Sequence, residues 1–138
     1  MPKGAVNLTK KVGFATPSGN IWCDTGYQGD GWLQCFIQGR DFKDPKGPSK
    51  KVGEGGSYWE PGLFGVPHGK GRASAGMWTS DVPPAGYEHQ EGRLPVLEYG
   101  SVARVDSIAC ASAKAELTCW NTKTGHGFFL SRAAWKVW

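Results

Sequence analysis

The chain has 138 residues, the length of a single domain, and its net charge of +4 is spread too thinly for a nucleic-acid-binding surface. No apolar run approaches the roughly 20 residues of a membrane-spanning helix. The 21 glycines, 9 prolines and 7 tryptophans are typical of many short strands joined by tight turns. We therefore predict one mostly β domain over residues 1–138, a small antiparallel sandwich or barrel.

Residues 1–11 are predicted to form a polar, basic N-terminal arm, followed by a short strand at residues 12–15. The arm lacks the apolar stretch of a secretory signal peptide. We expect either that a leader was replaced by the start methionine, or that the protein reaches its destination by another route, such as phage assembly or release on lysis.

Residues 16–23 predict a turn that feeds a strand and ends on a cysteine, because the Pro-Ser-Gly-Asn sequence favours a turn. Placing Cys23 opposite Cys35 gives an antiparallel hairpin whose loop contains two glycines. Trp22 and Phe36 then share the outer face, and because both faces carry bulky side chains we expect both to be covered. The core face is predicted to carry five residues: Ile21, Cys23, Leu33, Cys35 and Ile37.

The middle of the chain is less regular. Residues 41–57 are rich in lysine, proline and glycine and predict a surface loop, as do residues 81–93. Residues 58–66 have enough apolar bulk to return to the core, and residues 72–79 alternate loosely as a strand would. Residues 94–100 contain a proline, so they predict an edge strand at best.

A second hairpin is predicted near the C-terminus. With Cys110 opposite Cys119, residues 113–116 form its loop. A turn and a strand at residues 126–130 follow, and residues 131–135 predict one helical turn capped by their serine.

The four cysteines allow three connectivities. None of the spacings is the C-x-x-C of a zinc or redox motif, and no histidine lies close to any of the four, so structural disulfides are favoured. Local bridges, Cys23 with Cys35 and Cys110 with Cys119, are preferred; a bridge between the hairpins is the alternative. Disulfides predict an extracytoplasmic location, either secreted or periplasmic, or on a released particle.

His126 is the most tempting candidate for chemistry because the glycines on either side of it would let a ligand or another backbone approach closely. No spacing supplies it with a nucleophile or carboxylate partner, so holding a turn is the favoured role. The three histidines have no metal-binding spacing. We predict no catalytic residue, no metal site and no cofactor.

Exposed aromatic residues are the other lead, because a flat ring buries much area at low entropic cost. The alternative is that a domain with few leucines and isoleucines uses tryptophan to fill its core. The candidate binding residues are Tyr27, Trp32, Trp59, Trp78, Tyr87 and His126.

Three segments carry a resemblance to a family. Residues 16–23, residues 97–101 and residues 124–132 resemble the TPSGNI-x-C, LpYGs and TGHGF-x-LSR motifs of small, uncharacterised, secreted bacterial proteins. The likeness covers residues 14–37 and 97–138 and includes both cysteine pairs. It implies a compact, disulfide-bonded, extracytoplasmic fold and assigns no catalytic residue.

Together these observations predict a non-enzymatic binding or structural module that presents aromatic and basic loops to a protein or glycan partner. A structural or decoration component of a phage or other particle, able to self-assemble, is the first alternative. A small hydrolase, or a hydrolase inhibitor, that uses the His126 region is the second. We expect no specific nucleic-acid partner.

Overall fold

The computed structural model describes residues 4–26 and 31–138 and is built almost entirely of short strands. A single α-helix and a 3-10 turn at Glu54–Gly56 are the helical elements of this described part. In chain order the elements are β1 Val6–Asn7, β2 Gly13–Ala15, β3 Ile21–Asp24, β4 Trp32–Ile37, β5 Tyr58–Pro67, β6 Ser74–Thr79, α1 Pro84–Gln90, β7 Val102–Val105, β8 Ile108–Ser112, β9 Leu117–Asn121, β10 Gly127–Leu130 and β11 Trp135–Val137.

The strands form two sheets. The N-terminal sheet is an antiparallel meander in the order β2-β3-β4-β5-β6. The C-terminal sheet has the order β1-β7-β8-β9-β10-β11 and is antiparallel except that β1 pairs with β7 in parallel. Neither sheet closes into a barrel within the described ranges, so the mostly β prediction is confirmed in its sandwich form.

The hydrophobic core lies between the two sheets, where inward side chains of both meet. Phe64 of β5 contacts Phe128 of β10 and Trp135 of β11, with ring centroids 6.2 and 5.7 Å apart. The five residues predicted for the core face of the first hairpin all lie in this cluster. Alternation along β3 and β4 therefore places the side chains as the sequence predicts.

Both disulfides are completely buried in this core. Cys23 lies directly opposite Cys35, and Cys110 lies directly opposite Cys119, and each pair is bonded. The local pairing and the hairpin registers at the cysteines are confirmed, and the bridge between hairpins is excluded. The two disulfides use all four cysteines of the chain.

The outer face of the N-terminal sheet is covered by a helix that the sequence analysis missed. Residues 81–93 were predicted as a surface loop, but they contain α1, which packs on β2 and β3. Buried Ala85 of α1 lies against Trp22, which is only 8% exposed. The buried carboxylate of Asp24 accepts a hydrogen bond from the Ala85 N–H at 3.0 Å and so ties the helix to β3.

The predicted helical turn at residues 131–135 is wrong. The Ser131 hydroxyl accepts a hydrogen bond from the Ala134 N–H at 3.1 Å, and the Ser131 N–H donates to the Ala134 carbonyl at 2.9 Å. These bonds close a tight turn between β10 and β11, because a serine side chain can cap a turn as well as a helix. Trp135 already belongs to a strand.

The ends of the predicted irregular segments are also held by backbone pairing. In the N-terminal arm, β1 pairs with β7, and the Leu8 N–H donates to the Arg104 carbonyl at 2.8 Å. Leu8 itself is buried in the core. The segment at residues 94–100 contributes one isolated bridge, between Val96 and Ala15.

No helix in the described ranges is long and apolar enough to cross a membrane.

Removing either disulfide should lower the free energy of unfolding by about 2–3 kcal/mol, because each bridge restricts the unfolded chain over a short loop. The change is a paired Cys→Ala substitution at positions 23 and 35, or at 110 and 119, because alanine removes the bridge without burying a hydroxyl group in the core. Urea unfolding followed by tryptophan fluorescence measures it. A non-reducing digest that linked the two hairpins, or that showed free thiols, would contradict the pairing.

Substituting Gly86→Ala should destabilise the protein by about 1–2 kcal/mol, although alanine favours an exposed helix by about 1 kcal/mol. The added Cβ would overlap the Val82 side chain and approach the Trp22 ring at 3.1 Å, which forces α1 outward. The matched control is Gly69→Ala, where the Cβ meets nothing within 4 Å and no change is expected. Equal stability of the two variants would show that α1 does not press on the sheet.

Candidate functional site

A groove runs along the outer face of the N-terminal sheet beside α1 and has a volume of about 420 Å³. We call it the aromatic groove. Its floor is formed by Trp22, Phe36 and Leu63, and its walls include Tyr58, Glu60, Asp81 and His89.

Strand pairing places the two floor rings side by side. Trp22 of β3 is directly opposite Phe36 of β4, and their ring centroids are 5.7 Å apart. The imidazole of His89, from α1, lies 6.2 Å from the Trp22 ring. The helix buries Trp22 from one side and leaves Phe36 half-buried, so part of the aromatic surface faces the groove.

Two carboxylates stand on the walls. Glu60 of β5 accepts a hydrogen bond through Oε1 from the Gly62 N–H at 2.9 Å. Asp81 accepts two through Oδ1, from the Val82 N–H at 2.7 Å and the Tyr87 hydroxyl at 2.9 Å. The bond to Asp81, with the negative charge of that carboxylate, raises the pKa of Tyr87 because both favour the neutral phenol.

Among the described residues that line the groove there is no lysine and no arginine. The nearest guanidinium belongs to Arg40, which flanks Gly62 together with Phe36. Its Nε and Nη2 donate to the two carboxylate oxygens of Asp44 at 2.6 and 3.2 Å. This hydrogen bonding lowers the pKa of Asp44 and raises the pKa of Arg40, whose guanidinium also interacts electrostatically with Glu60 on the groove wall.

Trp59 and Trp78, two predicted binding residues, form a cross-strand pair with ring centroids 5.7 Å apart. A Cβ on Gly47 or Gly76 would overlap the Trp59 ring, and Trp78 lies beside Gly53. The pair therefore fastens the loop at residues 41–57 to the sheet. Trp78 is 43% exposed, and neither ring lines the groove, because alternation along β5 and β6 places them on the opposite face from Tyr58 and Thr79.

The remaining aromatic candidates are scattered. Tyr87 is exposed on α1 and touches the groove only through Asp81. Trp32 is half-buried at the start of β4, where its ring approaches Gly65. Tyr27 lies outside the described residues. The predicted set therefore does not form one site.

His126 is half-buried just before β10, which belongs to the C-terminal sheet, whereas the groove lies on the N-terminal sheet. The glycines beside it have backbone roles. Gly125 has a φ of +81°, in the left-handed region, and a Cβ on Gly127 would overlap the Cys119 carbonyl. Within the described part of the chain no hydrogen bond or ion pair joins His126 to a carboxylate.

A second cleft, of about 700 Å³, lies where several turns come together, and we call it the turn cleft. Residues 16–20, 113–116 and 131–133 meet there beside Tyr99. Much of the polar lining is already used in turns: the Asn20 amide exchanges two hydrogen bonds with the Gly39 backbone, at 2.8 and 2.6 Å.

The described residues contain no group of three or more histidine, cysteine, aspartate and glutamate side chains able to hold a metal ion. The groove residues absent from the predicted set of binding residues are Tyr58, Glu60, Asp81 and the floor pair. One signal pointed to the floor: Trp22 and Phe36 were assigned to one non-core face, which two bulky rings would not occupy without a cover or a ligand.

No curated protein and no solved structure is significantly similar to the chain. A model described as "Family of unknown function (DUF6636)" matches residues 2–137. The match extends through the middle of the chain, which supplies the walls of the aromatic groove, beyond the two ends that carry the motif resemblance. The chain therefore belongs to this family of unknown function.

Proposed function

We propose that the protein is a disulfide-stabilised, extracytoplasmic binding module that holds a protein or glycan partner in the aromatic groove. One observation carries the proposal: the paired rings of Trp22 and Phe36 form the floor of a groove on the disulfide-bonded sheet. Carboxylates and the 40%-exposed ring of Tyr58 flank that floor.

This arrangement suits binding for a physical reason. Aromatic side chains give a large contact area with few rotatable bonds, and they dominate the energy of many interfaces. Ligand sites are typically concave and mostly apolar, with a few polar groups that fix orientation. A floor on paired strands is held more accurately than one on loops.

The cysteines support the extracytoplasmic location. All four are consumed in two buried disulfides, and such bridges persist in oxidising compartments. The basic loop at residues 41–57 lies near the groove through Tyr58, because Val52 makes a β-bridge with that tyrosine. A partner seated in the groove would therefore also meet this loop.

The two alternatives have less support. The particle alternative would gain support if the N-terminal arm needed another molecule to hold it. Residues 6–8 of the arm are instead held by β7 and by the core of the same chain. His126 has no carboxylate partner among the described residues, so a hydrolase built on it is not the function we propose.

Substituting Tyr58→Ala should weaken a groove ligand about tenfold or more, because truncating an aromatic contact commonly costs that much. Ligands are selected from a random peptide library and an array of cell-wall oligosaccharides. NMR shifts of the Trp22 indole and Phe36 amide identify those that enter the groove, and calorimetry gives their affinities.

The matched control for that experiment is Tyr99→Ala. Tyr99 is exposed to a similar extent, 44% against 40%, but it lines the turn cleft. The Tyr99→Ala substitution should leave the affinity of groove ligands unchanged. Ligands that shift turn-cleft signals and respond only to Tyr99→Ala would refute the proposed site.

A further inference from the structure

We propose that the aromatic groove receives a lysine or arginine side chain from a partner polypeptide. This inference rests on the proposed binding function and names its ligand chemistry.

Charge is the first reason. Glu60 and Asp81 reach the groove from different segments, β5 and the stretch before α1. Among the described residues, each carboxylate accepts hydrogen bonds through only one oxygen: Oε1 of Glu60 and Oδ1 of Asp81. Within the described chain, neither carboxylate forms an ion pair. Their second oxygens are thus available to a cationic donor.

The negative charge of Glu60 and Asp81 is confined to the groove, although the chain as a whole is positively charged. The chain as a whole carries +4, yet the described lining of the groove holds no lysine or arginine. Arg40 acts electrostatically on Glu60 from outside that lining, but its guanidinium donates to both carboxylate oxygens of Asp44 and makes its ion pair there. A cationic side chain would be attracted to the groove and repelled by the lysine-rich loop at residues 41–57. Such a pattern gives specificity for where a basic group docks.

The floor selects the shape of the cation. An ammonium or guanidinium is attracted to the face of an aromatic ring, here Phe36 or Tyr58. The methylene stem of lysine or arginine can pack against apolar surface while its charged head meets a carboxylate. The half-buried ring of Phe36 supplies that apolar surface on the floor. A hydroxylated amino sugar offers the charge without the stem, so a polypeptide side chain fits better.

The test uses two capped peptides as probes. The first is acetyl-Gly-Ser-Lys-Gly-Arg-Gly-Ser-amide, and the second replaces its lysine and arginine with uncharged norleucine and citrulline of similar shape. Titration of the full chain is followed by NMR shifts of the Trp22 indole. We expect the charged peptide to bind about tenfold more tightly than its neutral twin, and to weaken as salt rises.

The protein variant is the double substitution Glu60→Gln and Asp81→Asn. The amides keep an oxygen acceptor for the internal bonds to Gly62, Val82 and Tyr87, so the fold should be retained while two charges are lost. Affinity for the charged peptide should fall about tenfold. The control, Glu98→Gln with Glu116→Gln, changes net charge equally at residues outside the groove and should have little effect.

Three results would overturn the inference. Equal binding of the charged and neutral peptides, still weakened by Tyr58→Ala, would reject the cation and leave the binding function standing. Tighter binding of a glucosamine oligomer than of the charged peptide, lost in the double variant, would assign the groove to an amine-bearing glycan. Groove signals unmoved by any peptide or by the library ligands would reject both this inference and the proposed function.

Discussion

Each disulfide joins two residues that lie directly opposite one another in antiparallel strands, and the rest of the structure depends on the register that this fixes. A slip of one residue in either hairpin would send every core side chain to the other face. With Cys23 and Cys35 inward, Trp22 and Phe36 must point outward. The bond that closes the core thereby also creates the floor of the groove on the opposite side of the sheet.

The outward-facing Trp22 is covered by α1, and Asp24, the residue after Cys23, anchors that helix. Asp24 is buried, and its carboxylate binds the N–H of Ala85 in α1 and of Gly26 in its own strand end. The helix is short, so it covers Trp22 but not the whole of Phe36. The uncovered remainder, bounded by α1 on one side and β5 on the other, is the groove. A partial cover is what turns a second hydrophobic face into a binding surface.

Sequence reasoning predicted the hairpins because period-two alternation and paired cysteines are local signals. It missed α1 because Pro83 and Pro84 indicate a loop, while the stabilising contacts of Ala85 are with Trp22 and Asp24, about 60 residues earlier in the chain. The parallel pairing of β1 with β7 joins segments about a hundred residues apart and has no local pattern. The groove was not predicted for the same reason: its walls come from three separate segments.

The family motifs and the groove use different residues. Asn20 clamps Gly39, Ser131 closes a turn, and the glycines around His126 meet backbone needs, so these motif residues maintain the sandwich. Trp22 occupies the open position of TPSGNI-x-C, and the other groove residues lie outside the motifs. The three motifs meet at the turn cleft, so they specify the scaffold and that cleft but not the lining of the aromatic groove. Ligand chemistry has to be inferred from the groove residues of each chain, because a shared fold does not carry a shared function.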